Sequence, residues 1–133
     1  NYGNMSGFSS WGPVHDGRIK PEISGIGVDV YSTGFNDGYS TKDGTSMACP
    51  GVSGSISQLD ELYERINGQK PLASLMKDMV CNPARDLGNP GPDYSYGFGL
   101  MNTLRAANAI QNNSYFIILK VLTHIYINYC FIK

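Results

Sequence analysis

The chain has 133 residues and a formal net charge of −1, with 10 basic and 11 acidic side chains. Hydrophobic residues make up 41% of it and charged residues 16%, which supports a packed core and excludes an intrinsically disordered chain. The charge balance argues against a nucleic-acid-binding protein, which needs a clustered basic surface. The three cysteines are odd in number and no two of them have metal-ligand spacing, so they predict neither a complete disulfide framework nor a metal site.

Residues 1–43 are rich in Gly, Ser, Asp and Tyr and contain two short runs with strand character. The runs are residues 22–24 and residues 28–33, and the second alternates apolar with polar side chains. Glycines punctuate both runs, which is typical of turns and breaks: Gly25, Gly27 and Gly34.

A long helix is predicted from Ser46 to Ile66, because apolar residues recur there at steps of four and three and form one stripe. The stripe consists of Val52, Ile56, Leu59, Tyr63 and Ile66. Gly68 predicts the end of the helix, since glycine adopts the left-handed cap conformation at little cost. The first half of the helix is built of small residues and the second half of charged ones. We therefore expect a helix that starts inside the protein, with Gly51 and Gly54 against neighbouring backbone, and emerges into solvent.

Two further helices follow the long one. The second is expected to carry Pro71 in its first turn, where a missing N–H does no harm, and to end before Pro83. A loop rich in Gly, Pro and Asp covers residues 85–99. The third helix is expected to begin near Asn102, an acceptable N-cap, and to include residues 104–110.

Ser46 stands at the predicted start of the long helix. A serine hydroxyl becomes a useful nucleophile only with a base and with donors for the oxyanion that it creates. A helix start offers unpaired N–H groups and a dipole that favours negative charge. Pro50 cannot donate to the Ser46 carbonyl, and Gly44 leaves room for a substrate backbone. The alternative is that Thr45 and Ser46 merely cap a buried helix, which is the more common use of such residues.

The segment Gly-Thr-Ser-Met-Ala-Cys-Pro at residues 44–50 resembles the nucleophile motif of the subtilisin-like serine proteases (subtilases, the peptidase S8 family). In that family the motif is normally Gly-Thr-Ser-Met-Ala-small-Pro. Four flanking segments agree with the family in order and spacing: residues 8–13, 20–23, 28–33 and 96–102. Gly51 departs from the family, which usually has His there, and residues 25–27 replace its Ala-Pro-Gly. The resemblance assigns residues 1–112 to the C-terminal part of a subtilase catalytic domain.

The resemblance implies a three-layer α/β fold with a mainly parallel sheet and a central buried helix that starts at the nucleophile. It implies a serine endopeptidase that cleaves polypeptide substrates through an acyl-enzyme on Ser46, whose own N–H donates to the oxyanion. Thr45 adds a hydroxyl nearby, and Gly44 borders the substrate cleft. The chemistry needs no cofactor. Structural calcium is frequent in the family, but this sequence shows no ligand cluster for it. Secretion is a family expectation, a membrane partner is not expected, and the sequence sets no oligomeric state.

In this family the catalytic residues follow the order Asp, His, Ser along the chain. Only 45 residues precede Ser46, and they align with segments downstream of the family's Asp, His and oxyanion Asn. We therefore expect those three groups to lie upstream, and the 133 residues alone to be inactive. The alternative function is a non-catalytic remnant or a subunit that docks on another protein, and the upstream sequence distinguishes the two.

Two other side-chain pairs invite a catalytic interpretation. His15 and Asp16 are adjacent in an apparent exposed turn, an arrangement that rarely places an imidazole against its carboxylate partner. His124 follows Ser46 and lies in an atypical tail. Ser74 and Lys77 match the Ser-x-x-Lys pattern of penicillin-binding enzymes, but the companion motifs are absent and a solvated helix face is the better interpretation.

Cys49 lies close to the helix start, where the pKa of a thiol is lowered and a reactive thiolate is conceivable. We expect instead a small buried residue that fills the position usually held by Ser or Ala.

Residues 113–133 form an atypical hydrophobic tail. From residue 115 onward it holds five Ile, three Tyr and two Phe but no Gly, Pro, Ala, Asp or Glu. Its residue types have AT-rich codons, so we expect a frameshift or readthrough. A transmembrane helix is one rival interpretation, weakened by Lys120, His124 and Asn128 within the apolar run. A genuine strand of a following domain is the other.

Overall fold

A computed structural model describes residues 3–114 of the chain. It contains two strands and three helices, which in chain order are β1 (Val30–Thr33), β2 (Tyr39–Lys42), α1 (Thr45–Asn67), α2 (Ala73–Cys81) and α3 (Thr103–Gln111). Within this part of the chain, no helix combines the length and the apolar character that crossing a bilayer requires. The interpretations of the tail concern residues outside the described range and stay predictions.

The bounds of α1 confirm the predicted helix at both ends. It begins at Thr45, one residue before the predicted start, and continues to Asn67. Gly68 follows with a φ of 72°, and its N–H donates to the Glu64 carbonyl at 2.8 Å. Glycine suits this position because the left-handed conformation costs it almost nothing.

The hydrophobic core lies between the second half of α1 and the two short helices. Its buried members come from all three helices: Leu59, Tyr63, Met76, Met79, Val80, Ala106 and Ile110. Ile56, a member of the predicted stripe, and Leu75 of α2 are partly buried against them. Ile66, the last residue of the predicted stripe, is exposed because it lies in the final turn, beyond the reach of α2 and α3.

The side of the first half of α1 that carries Gly51 and Gly54 is exposed, contrary to the sequence-based prediction, whereas Ala48 and Val52 are partly buried. A Cβ added at Gly51 or at Gly54 would meet nothing within 4 Å. The prediction that these glycines face neighbouring backbone is therefore wrong for residues 3–114, and the central buried helix of the three-layer fold stays a prediction. The physical reason is the placement of the core, because α2 and α3 both pack on the opposite half of the helix.

The sheet differs from the predicted one. β1 and β2 form an antiparallel hairpin in which Val30 is opposite Lys42 and Thr33 is opposite Tyr39. β2 was not predicted from the sequence. Within residues 3–114 the parallel contact is a single bridge between Ser24 and Leu100, so the predicted mainly parallel sheet is not seen there. The predicted strand at residues 22–24 is not a strand in the structure, where its pairing amounts to this bridge and the backbone hydrogen bonds that flank it.

The ends of the two short helices confirm one prediction and correct another. The Asn102 side chain accepts a hydrogen bond from the Arg105 N–H at 3.0 Å and caps α3 as predicted. α2 begins only at Ala73, with Leu72 as an extended N-cap, so Pro71 lies outside the helix and not in its first turn. The helix ends before Pro83, as expected.

The glycine-rich loop that precedes α3 is held against residues 22–24 by backbone contacts. The Phe98 N–H donates to the Glu22 carbonyl at 2.9 Å, and the Ser24 N–H donates to the Gly99 carbonyl at 2.9 Å. Gly97 adopts a φ of 66°, and a Cβ there would lie 2.1 Å from the Pro21 carbonyl oxygen. This loop therefore needs glycine at position 97 both for its backbone conformation and for the space that it leaves.

A pair of glycine substitutions separates these two requirements. We expect Gly97→Ala to lower the free energy of unfolding by roughly 2–5 kcal/mol, because strain and overpacking combine. Gly91 has a φ of 83° but open space around it, so Gly91→Ala should cost about 1–2 kcal/mol from strain alone. Urea unfolding of the two variants measures the difference, and equal losses would contradict the close contact.

Glu22 joins the segment beneath the loop to α2 through Lys77 and is also paired with Lys20 of its own segment. One carboxylate oxygen accepts hydrogen bonds from the ammonium groups of Lys20 and Lys77, the latter at 2.8 Å. These two hydrogen bonds, from Lys20 and then Lys77, lower the pKa of Glu22 to about 2 from an ordinary 4.5. The same Glu22 contact raises the pKa of Lys77.

The depressed pKa of Glu22 predicts an acid-dependent stability. A group whose pKa is lowered by folding stabilises the fold fully above its unfolded pKa and loses that contribution as the pH falls through its folded pKa. We therefore expect the unfolding free energy to decrease between pH 4.5 and about 2, and Glu22→Gln to make that dependence shallower. Denaturation at a series of pH values tests this, with Asp60→Asn, which removes an exposed ion pair to Lys70, as the control.

Candidate active site

The start of α1 is set by the backbone of Gly44. This residue is the N-cap, with a φ of 150°, a conformation that favours glycine. Its carbonyl accepts the N–H groups of Met47 at 3.0 Å and Ala48 at 3.4 Å. The N–H groups of Thr45 and Ser46 have no acceptor among residues 3–114, as expected for the first residues of a helix. The helix therefore presents two free donors at its positive end.

Ser46 is exposed in the first turn of α1. Among the described residues its hydroxyl forms no hydrogen bond, and no side chain caps the helix. The alternative in which Thr45 and Ser46 merely cap the helix is therefore wrong, since the cap is the backbone of Gly44. Pro50 lies within the helix and cannot donate to the Ser46 carbonyl, so the hydrogen-bond ladder is interrupted beside the serine.

A shallow, open depression surrounds the serine on the exposed side of α1. It is lined by Thr45, Ser46, Cys49, Pro50 and Ser53. All five residues belong to the first three turns of one helix, so the described chain provides one wall of a cleft. The small size of these side chains leaves the Ser46 hydroxyl open to a ligand that approaches from solvent.

Cys49 corrects a further expectation. It is exposed and lines the depression, whereas the sequence indicated a small buried filler. The reason is again that the first half of α1 is uncovered within the described range. Cys81, by contrast, is buried in α2, and burial raises the pKa of its thiol to about 11.

The backbone beneath the helix start comes from residues 25–27. A Cβ at Gly27 would lie 2.6 Å from the Gly44 carbonyl oxygen, and a Cβ at Gly25 would lie 2.8 Å from a methyl carbon of Val52. The Gly44 N–H also donates to the Gly27 carbonyl at 2.7 Å. Sequence reasoning treated these glycines only as punctuation of strands. Their alternate spacing was the available signal, because it places both on one side of an extended segment.

His15 and Asp16 lie in an exposed turn, as the sequence predicted. His15 occupies an exposed turn that the Gly17 N–H closes on the Val14 carbonyl at 2.8 Å. Asp16 binds Arg18 and not His15, with 2.8 Å between the Arg18 Nε and a carboxylate oxygen. Bonds from the Arg18 backbone and side chain lower the pKa of Asp16. No His–Asp pair of the triad type is therefore formed at this turn.

Ser74 and Lys77 are both exposed on α2, which confirms the prediction of a solvated helix face. Lys77 is committed to its ion pair with Glu22. Across residues 3–114, no group of three or more His, Cys, Asp or Glu side chains is placed to hold a metal ion.

Comparison with known proteins identifies the family. The profile of the subtilase family, Peptidase_S8, matches residues 1–99, which include the whole Ser46 motif. The chain belongs to the subtilase family. This confirms the resemblance that the Ser46 motif and its flanking segments indicate.

Curated relatives are larger subtilases. A PII-type proteinase of Lactococcus lactis subsp. cremoris is 30% identical over 130 residues, an alignment that covers 82% of this chain and 7% of that protein. A C5a peptidase of Streptococcus pyogenes is 45% identical over 60 residues, covering 45% of this chain and 5% of the peptidase. The chain thus spans less than a tenth of the length of these relatives.

Solved structures agree with the family assignment. The CspB protease of Clostridium perfringens superposes with a TM-score of 0.76 and 31% sequence identity, over 84% of this chain and 24% of that one. A lanthipeptide protease superposes with a TM-score of 0.53 and 34% identity, over 56% of this chain and 22% of that one. The described fold is therefore similar to part of an α/β subtilisin-like protease.

Cys49 and Cys81 are expected to differ in the reactivity of their thiols. We expect a maleimide to modify Cys49 quickly at pH 7.5, because its thiol is open to solvent. Cys81 should react at least tenfold more slowly, because it is buried and its pKa is raised. Peptide mass mapping over a time course follows the peptides of Cys49 and Cys81 separately from that of Cys130, and Cys49→Ser should remove the fast labelling of its own peptide. A fast phase that persists in Cys49→Ser, with label on Cys81, would contradict the described packing.

Proposed function

We propose that Ser46 is the nucleophile of a serine endopeptidase that hydrolyses polypeptides through an acyl-enzyme. The proposal rests on the exposure and the missing hydrogen bonds of this residue at the start of α1. Its hydroxyl is exposed and unbonded among residues 3–114, and its own N–H lacks an acceptor there. A serine that served only the helix would use its hydroxyl as a cap.

The neighbouring groups support defined roles in that chemistry. The Ser46 N–H, at the positive end of α1, would donate to the oxyanion formed by attack on a peptide carbonyl. Thr45 lines the same depression and adds a hydroxyl. Gly44, directly before it in the chain, would border the substrate cleft with no side chain to obstruct a substrate backbone. The reaction needs no cofactor, since proton transfer and oxyanion stabilisation suffice for acyl transfer.

The base and its partner are proposed to come from sequence upstream of this chain in a larger catalytic domain. His15, the histidine of the described range, lies on an exposed turn, and its neighbour Asp16 is bound to Arg18. We infer that the family's Asp, His and oxyanion Asn complete the site from that upstream part. Residues 1–112 would then be the C-terminal part of the domain, and the isolated chain would not hydrolyse peptides.

The same proposal gives a reason for the exposed half of α1. In the parent domain a three-layer fold with a mainly parallel sheet would cover the small residues of that half, including Gly51 and Gly54. Ile26 and Val28 are exposed on the side of their segment that faces away from the helix, where further strands could pack. We also propose that the parent protein is secreted, as is expected for the family.

A fluorophosphonate probe tests the proposal directly, because it labels only activated serines. In the protein that contains the upstream Asp and His, we expect labelling at Ser46, and Ser46→Ala should abolish both labelling and peptidase activity, by about 10⁶-fold in turnover. Ser74→Ala, which removes an exposed serine of α2, is the matched control and should behave as the unaltered protein.

Three outcomes would contradict the proposal or part of it. Activity that survives Ser46→Ala would show that another residue is the nucleophile. Robust labelling of Ser46 in the isolated 133 residues would show that a base lies within the chain, against the inferred upstream origin. Absence of labelling in the larger protein would instead favour the non-catalytic remnant or docking subunit.

A further inference from the structure

The hairpin that precedes α1 is extended by a side chain at the point where its backbone pairing stops. The last pair of the β1–β2 register joins Val30 and Lys42. One residue further, the Asp29 N–H donates to a carboxylate oxygen of Asp43 at 2.7 Å. Beyond it, the Gly44 N–H donates to the Gly27 carbonyl at 2.7 Å. Three successive links thus tie the first strand to the helix start.

These links contain a bulge. Two residues, 28 and 29, separate Gly27 from Val30, whereas Asp43 alone separates Lys42 from Gly44. The extra residue is accommodated by Asp29, which adopts the left-handed conformation with a φ of 54°. Bulges of this kind bend a strand and redirect the adjoining segment. Here the adjoining segment is the N-cap and first turn of α1.

The Asp43 carboxylate takes the place of the backbone acceptor that the bulge removes. Without that carboxylate the Asp29 N–H would have to turn to solvent, and the left-handed backbone of Asp29 would lose its restraint. Asp43 directly precedes Gly44, whose carbonyl accepts the first hydrogen bonds of α1. A change of angle at this point would move the hydroxyl and the N–H of Ser46 together.

We propose that Asp43 is a positioning residue for Ser46, acting through its hydrogen bond to the Asp29 N–H. The inference rests on the proposed role of Ser46 as nucleophile and adds a residue that touches neither substrate nor reacting atoms. The feature of Asp43 that matters is an acceptor oxygen at the right distance, and not its negative charge.

Two substitutions at one position separate the acceptor from the charge. Asp43→Ala removes both, whereas Asp43→Asn keeps an acceptor oxygen and removes the charge. Asp16→Ala is the matched control, because Asp16 is also an exposed carboxylate that accepts a backbone N–H, that of Arg18, in a remote turn. All variants are made in the protein that carries the upstream Asp and His. The measurements are kcat and KM on a peptide substrate, the pH profile of kcat, and hydrogen exchange of the Asp29 amide.

The expected pattern is specific to positioning. Asp43→Ala should lower kcat by about 10- to 100-fold, the scale of a small misplacement of a reacting group, with KM within about twofold. Exchange at the Asp29 amide should become faster. Asp43→Asn should restore kcat to within about threefold and leave the pH profile unchanged, because the hydrogen bond persists. Asp16→Ala should match the unaltered protein in every measurement.

Each contrary outcome would overturn one part of the proposal for Asp43. Unchanged kcat in Asp43→Ala with faster exchange at Asp29 would show that the bond exists but does not position Ser46. An Asp43→Asn variant as impaired as Asp43→Ala, or a displaced pH profile, would assign the effect to charge. A raised KM with normal kcat would make Asp43 a substrate contact. If the unaltered protein is not labelled at Ser46 while the Asp29 amide stays protected, the proposed function itself fails and the role of Asp43 falls with it.

Discussion

The arrangement around Ser46 depends on one close approach between two backbones. Residues 25–27 run beneath the first turns of α1 so closely that a Cβ at Gly27 would lie 2.6 Å from the Gly44 carbonyl oxygen. The Gly44 N–H closes the contact by donating to the Gly27 carbonyl. Because no side chain intervenes, the helix start is fixed by backbone atoms, which have far less freedom than long side chains. The direction in which Ser46 presents its hydroxyl follows from that contact.

The positions of the helices could be predicted from neighbouring residues in the sequence. The pairing of strands and the burial of side chains depend on long-range contacts and could not. The ends of α1 and α3 were predictable because each depends on adjacent residues, a left-handed glycine at Gly68 and a side-chain cap at Asn102. β2 was not predictable in the same way, since a four-residue strand exists only through its pairing with β1. Burial was the least accessible property, because which half of α1 meets the core depends on where α2 and α3 return.

In the candidate site, too, local features were predictable from the sequence and long-range contacts were not. The motif at residues 44–50 indicated that a helix starts at Ser46, and α1 begins one residue before it, directly after a hairpin that was not predicted. The contributions of Gly25, Gly27 and Asp43 were missed, because each acts on a residue 14 or more positions away or through backbone atoms that any sequence possesses. The alternation of Gly25 and Gly27 does indicate a close approach between two backbones, but it does not indicate which segment approaches.

The core and the candidate site occupy opposite halves of α1, and this separation bears on how the chain is used. The second half is anchored by Leu59 and Tyr63 against two helices, so it gains stability from burial that Ser46 does not share. The first half includes Gly51 and Gly54, each of which costs roughly 1 kcal/mol relative to alanine in an exposed helix. Nothing in the described surroundings offsets that cost, since both glycines face open space. A covering surface that packs directly on the helix backbone would offset it, and only small residues admit one. The parent domain proposed for this chain would provide such a surface, with Ser46 at the border between the enclosed part of α1 and the cleft.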